Sequence, residues 1–180
     1  MNMKTSIKFI ILLISIFLIC NCGMESDENE KKKRFALKAN LPVDFITNQN
    51  LGDSLSVVEA KKRANSGEII VINGFIGGRR EPFTAGRASF ILCDDSIKAC
   101  DEIDTHHCPT PWDACCEDRK RILSSTISIQ VVDEQTNLLR GTLKGVKGLK
   151  PGRKIKVLGT IDSQSIPPAM LLNAQQIELL

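Results

Sequence analysis

Apolar positions change their spacing three times along this chain. Phe9 to Ile19, FIILLISIFLI, is a nearly unbroken apolar run behind Lys4 and Lys8. A helix needs about 20 such residues to span a bilayer, so the run has the length and flanks of a secretory signal instead. After it the pattern dissolves. An acidic cluster precedes the basic run Lys31–Arg34, with little apolar periodicity up to Asn50. Such a stretch buries too little surface to offset the entropy of ordering it, so residues 22–50 read as a flexible tether.

Helical spacing then appears briefly. Val57, Ala60 and Ala64 fall on one face, Ser56 and Glu59 have capping-box spacing, and Asn65-Ser66-Gly67 supplies a stop. From Glu68 the period becomes two. EIIVINGFIGG (Glu68–Gly78), GRASFILCD (Gly86–Asp94), STISIQVVD (Ser125–Asp133), RKIKVLGTID (Arg153–Asp162) and LLNAQQIELL (Leu171–Leu180) read as five strands. In the third, Ile127, Ile129 and Val131 alternate with Ser128 and Gln130; in the fourth, Ile155 and Val157 point inward. A turn-rich connector with one short helical turn is expected between these two.

Gly74 and Gly159 lie inside the first and fourth strands, where glycine permits the sharp coil that a closed barrel needs. GEIIVINGFIGG together with LKPGRKIKVLGTID and LLNAQQIEL resembles the OB-fold, a five-stranded Greek-key barrel. The expected class is therefore mostly β: an OB-fold-like barrel over residues 51–180, with a short N-terminal helix and a cysteine-rich insertion, residues 94–124, between strands two and three. GGRREPFTAGRASFIL, CPTPWDACCED and LKGVKGLKPGRKIKVLG also resemble an uncharacterised group of bacterial lipoprotein-like proteins with such an insertion. That resemblance implies a fold and a coherent insertion, not a reaction.

The segment before the tether sharpens the compartment. A signal ending in an aliphatic residue, one or two small or polar residues and a cysteine resembles a bacterial lipoprotein signal. Cys22, with Ile19 three positions before it, suits lipidation better than Cys20, although Asn21 departs from the usual small residue. Residues 1–21 are then the signal peptide, and the alternatives are a simple secretory signal cut nearby or an uncleaved anchor. Gly23 replaces the aspartate that retains some lipoproteins in the inner membrane, which points to the outer one. The partners implied are the membrane, through an N-terminal lipid, and an envelope protein or small ligand.

The insertion, about thirty residues where a hairpin needs two to five, concentrates the candidate chemistry. It and its leading strand hold Cys93, Cys100, Cys108, Cys115 and Cys116, with His106, His107 and the single tryptophan, Trp112. In an oxidising compartment cysteines tend to pair, so a disulfide-stapled loop is the first expectation. Adjacent Cys115 and Cys116 should reach different partners, and five sulfurs leave one over. The second expectation is a metal site: thiolates with one imidazole suit Zn²⁺ or Cu⁺, although no C-x-x-C spacing is present. Thiol chemistry comes third, with His106 beside Cys108 or Cys116 as the candidate; no redox signature supports it, and an enzyme is not expected. Asp94, Asp95, Asp101, Glu102 and Asp104 suit a solvated acidic loop better than a hard-cation site.

Charge removes one class. Without residues 1–21 the chain has 22 basic and 21 acidic residues, a net of +1, so no positive excess drives nucleic-acid binding. Stacking surfaces are scarce too: Phe75, Phe83 and Phe90 serve the barrel, and there is no tyrosine. An oligonucleotide- or oligosaccharide-binding OB domain stays the second alternative, behind a tethered binding or structural module and an envelope metal-binding protein. Arg79, Arg80 and Arg87 are candidate contacts for an acidic ligand. Trp112 is a candidate plug of the insertion against the barrel or a ligand contact.

Overall fold

The computed structural model describes residues 24–100 and 108–180. Helix α1 (Met24–Ala36) belongs to a unit of its own, and the rest of the described chain forms a second. In chain order the second unit contains β1 (Ile46–Thr47), β2 (Leu55–Ser56), α2 (Val57–Arg63), β3 (Ile69–Ile76), β4 (Ser89–Cys93), α3 (Arg119–Ser124), β5 (Thr126–Gln130), β6 (Lys154–Ile161) and β7 (Leu171–Leu179).

The five long strands close on themselves. β3 pairs antiparallel with β4, and β4 with β5. β5 lies parallel to β7, β7 is antiparallel to β6, and β6 returns antiparallel to β3. Numbered as barrel strands, the order is 1-2-3-5-4-1, the OB-fold connection. All five were read as strands from the sequence, although the composition of the last, LLNAQQIELL, would also suit a helix. Their inward residues, among them Ile72, Phe90, Ile127, Ile129, Val157 and Leu172, are fully or almost fully buried in one core.

Closure depends on close backbone approach. A Cβ at Gly74 would lie 2.2 Å from the Cys93 carbonyl oxygen, and one at Gly159 2.5 Å from that of Asn173. The β6–β7 register also shifts between Leu158 and Gly159. Both glycines therefore sit where the sheet coils too tightly for a side chain.

Helix α2 forms as its sequence predicts. The Ser56 hydroxyl accepts from the Glu59 amide, the Glu59 carboxylate accepts from the Ser56 amide, and Val57 and Ala60 are buried. Two expectations change, and a helix is added. The stretch 22–50 does not run as tether throughout: residues 24–36 are helical, and the chain from Lys38 to Thr47 lies along the barrel. Ala39 and Phe45 are buried in its core, Ala39 bonds the Thr142 carbonyl at 3.0 Å, and β1 pairs with β7. Two apolar anchors in a polar stretch leave no period to detect. Between β5 and β6, the short helical turn does not form; Gly141, Gly145, Gly148 and Gly152 all adopt positive φ, which breaks helix propagation. The insertion instead ends in α3, capped by the Asp118 carboxylate, which accepts from the Lys120 and Arg121 amides.

Replacing Gly74 by alanine sets a methyl against an unyielding carbonyl. Gly74→Ala should lower unfolding stability by about 1–3 kcal/mol, the usual cost of overpacking. A shifted urea midpoint with an unchanged slope would show it; a variant as stable as the parent would contradict the closure geometry.

Candidate metal and thiol centre

The insertion is anchored by apolar contact before any sulfur is involved. β3 and β4 turn Phe75 and Cys93 outward, and the two are cross-strand partners. Neither reaches solvent. They form a second small core with Ile97, Ala99 and Ala114 of the insertion, and Ile122 of α3 packs against it. Cys93 is thus a floor residue, and it does not join the other sulfurs. Burial first, then the neighbouring Asp94 carboxylate, pushes its thiol up to about 12, which keeps it neutral.

Polar links fix the loop's direction. Pro111 and Trp112 occupy the centre of a turn closed by the Asp113 amide on the Thr110 carbonyl at 2.9 Å, with proline in the position that suits its fixed φ. The Trp112 carbonyl accepts from the Gly78 amide at 2.9 Å, and its indole donates to the Arg80 carbonyl at 3.0 Å. A Cβ at Gly77 would lie 2.5 Å from that Trp112 carbonyl and 2.4 Å from the Phe75 ring, so the glycine pair leaves room for the insertion to dock. Trp112 itself is half-buried. A second turn is closed by the Glu117 amide on the Ala114 carbonyl at 3.0 Å. Cys115 and Cys116 are its two central residues.

This second turn faces Cys100, whose amide bonds the Asp113 carbonyl at 2.9 Å. The Cys100 and Cys115 sulfurs lie 3.1 Å apart and those of Cys115 and Cys116 3.9 Å apart. All three sulfurs fall within 4.8 Å of one another. Among the described residues no pair is at the roughly 2.05 Å of a disulfide. Cys108 is not one of these three; its sulfur lies 3.4 Å from the Thr110 hydroxyl.

The thiols differ in acidity. Bonds from Thr110, then from Cys100 and Cys115, hold Cys108 below the usual thiol range. Burial, then Cys115, pushes Cys100 up to about 11. At Cys115 the bond to Cys100 pulls downward, but Cys116, burial and Cys108 raise it on balance. Of Cys100, Cys108 and Cys115, only Cys108 is shifted towards ionisation, and only the ionised form ligates a metal strongly.

This donor set fits a thiophilic ion. A tetrahedral Zn–S distance of about 2.3 Å sets sulfurs about 3.8 Å apart, and the spacings here fall on either side of that value. Cys100, Cys108, Cys115 and Cys116 could supply four thiolates, or three to Cu⁺. His106, His107, Asp101, Glu102 and Asp104 lie outside the described residues, as does Cys22.

The remaining candidates have separate places. Asp94 is buried: its carboxylate accepts from the Val58 amide at 2.8 Å and the Ser96 amide at 2.9 Å, joining α2 to the start of the insertion. Burial would raise its pKa, but those bonds lower it on balance. Asp95 pairs with Lys154 at 3.2 Å. Arg79, Arg80 and Arg87 are exposed; Arg87 bridges to Arg140 by its backbone, while Arg79 lines a cavity beside β5. Phe75, Phe83 and Phe90 are buried, so none is available as a stacking surface. Two contributors were not anticipated. Arg119 lines the same cavity as Arg79, and Lys61 donates to the Leu123 and Thr126 carbonyls at 2.5 and 2.6 Å, where α3 ends. The basic run after Asp118 was the available signal for the first.

Cys93 gives the fold a pH dependence with a definite sign. Its folded pKa lies above the ordinary 9.0, so the stability gained by keeping this thiol neutral is fully present below pH 9 and is lost as pH rises towards 12. The urea midpoint should fall above pH 9 more steeply in the parent than in Cys93→Ala. Parallel falls in the two would contradict the burial of a neutral thiol.

No family model matches the chain, and no curated protein matches it. A solved structure described as that of the hypothetical protein ygiW from E. coli is similar, at 14% identity and a TM-score of 0.38, over 73% of this chain and 94% of that one. The barrel assignment rests on strand order and register.

Proposed function

We propose that the protein is a membrane-tethered, extracytoplasmic OB-fold module whose cysteine loop holds one thiophilic metal ion, zinc or copper(I). One observation carries the metal reading: three sulfurs from two separate parts of the loop lie within 4.8 Å of one another. The ligands are Cys100, Cys108, Cys115 and Cys116. The protein is a binder, not an enzyme. Buried phenylalanines and near-neutral charge also argue against an oligonucleotide-binding OB domain.

A structural disulfide is the second reading, favoured by the Cys100–Cys115 approach of 3.1 Å and by the oxidising compartment that export implies. One preparation separates the two. Full-length protein exported by its cells and purified with neither reductant nor chelator should contain one equivalent of zinc or copper per chain. Cys115→Ser and Cys116→Ser should lose most of it, while Cys93→Ala keeps it. A chain free of metal, with a mass lowered by the hydrogens lost to disulfides, would favour the stapled loop instead.

The tether reading rests on the apolar run Phe9–Ile19 followed by Cys22. Cells fed labelled palmitate should incorporate it into the parent chain and not into Cys22→Ala. Equal labelling of both would remove Cys22 as the lipid site.

A further inference from the structure

We propose a second ligand site, separate from the sulfurs: a cavity on the outer side of β4 and β5 that takes a small apolar molecule ending in a carboxylate. The cavity measures about 380 Å³. Its floor is Ile91 and Ser128, cross-strand partners on the outward side of their strands. Ile122 and Leu123 of α3 form one wall, and the β6–β7 turn, ending in Met170, forms the other. Arg79 and Arg119 line it from the end of β3 and the start of α3.

Three features define the ligand. Leu123 is 46% exposed and Ile91 only half-buried, so the site offers apolar surface that the described residues leave uncovered. Arg79 and Arg119 are exposed and have no carboxylate partner among the described residues, although neighbouring Arg121 is paired with Glu117. Planar guanidiniums suit a carboxylate, which two donors can grip at once. Size sets the body of the molecule: at about 30 Å³ per water-sized group, the cavity holds about a dozen heavy atoms. A ten-carbon fatty acid has that size. Walls on two sides make it a bounded site suited to a short molecule.

The insertion creates this site, since α3 is its last element and Ile122 is seated in the small core around Phe75 and Cys93. It does not depend on what the sulfurs hold. The sequence singled out Arg79, Arg80 and Arg87 together; only Arg79 among them lines the cavity, and its companion there is Arg119.

The test is a titration of the methyl-labelled full chain with sodium decanoate, read by nuclear magnetic resonance, so that detergent around a lipidated protein does not mask the site. The methyls of Ile91, Ile122 and Met170 should shift and saturate together. The double variant Arg79→Gln, Arg119→Gln should bind about tenfold more weakly, the loss expected for charge-assisted bonds at an exposed rim. Arg80→Gln should bind as the parent does, and 1-decanol should bind as weakly to the parent as decanoate binds to the double variant. Unmoved methyls, equal affinity in parent and double variant, or equal binding of decanol and decanoate to the parent would overturn the proposal.

Discussion

Burial of two outward-facing residues, Phe75 and Cys93, is the constraint on which the cysteine loop depends. A barrel strand ordinarily buries one side and offers the other to water. Here the outer side of β3 and β4 is apolar at one cross-strand pair, and about thirty residues of insertion cover it with Ile97, Ala99, Ala114 and Ile122. Removing that surface from water is favourable whatever the sulfurs do. The glycine pair Gly77-Gly78 clears the approach, and the Trp112 carbonyl and indole then lock the loop to the chain after β3. The barrel thus provides the anchor, and the insertion is held from both ends.

The chemistry follows from that anchoring. With Ala99 and Ala114 in the small core, Cys100 and Cys115 are each one residue from a buried neighbour, and the turn from Ala114 to Glu117 carries Cys115 and Cys116 towards Cys100. A loop fixed in this way presents sulfurs with little further loss of entropy, which favours binding of an ion that must gather several of them. The same arrangement sets α3 beside β5, where Ile122 belongs to the core on one side and lines the cavity on the other. Two places of different chemistry, one soft and sulfur-rich and one apolar with a cationic rim, therefore share one support.

Much of the barrel was legible in the sequence because period-two alternation and the placement of Gly74 and Gly159 are local signals that match the global fold. The capping box at Ser56 and Glu59 was legible for the same reason. What was hidden depends on side-chain direction. EIIVINGFIGG is apolar on both sides near its end, so Phe75 read as one of three barrel aromatics weighed for stacking and not as the seat of the insertion. Cys93 counted as a fifth ligand because spacing records how many sulfurs there are and not which way they point; the strand faces it into the second core. Ala39 and Phe45 anchor a stretch whose composition otherwise describes a tether. Helix α3 is six residues long, too short for its periodicity to register. Arg79 and Arg119 are forty positions apart, and only the fold puts them at one cavity.

Cross-linking in the reduced, metal-free chain tests directly whether the anchored loop gathers the sulfurs unaided. Full-length protein would be treated under native conditions with dibromobimane, which becomes fluorescent when it bridges two thiols, and the adducts mapped by mass spectrometry. A bridge between Cys100 and Cys115, with Cys93 unmodified until the chain is unfolded, is the result this account predicts. Single, unbridged adducts scattered over the loop, or ready modification of Cys93 in the native protein, would contradict it.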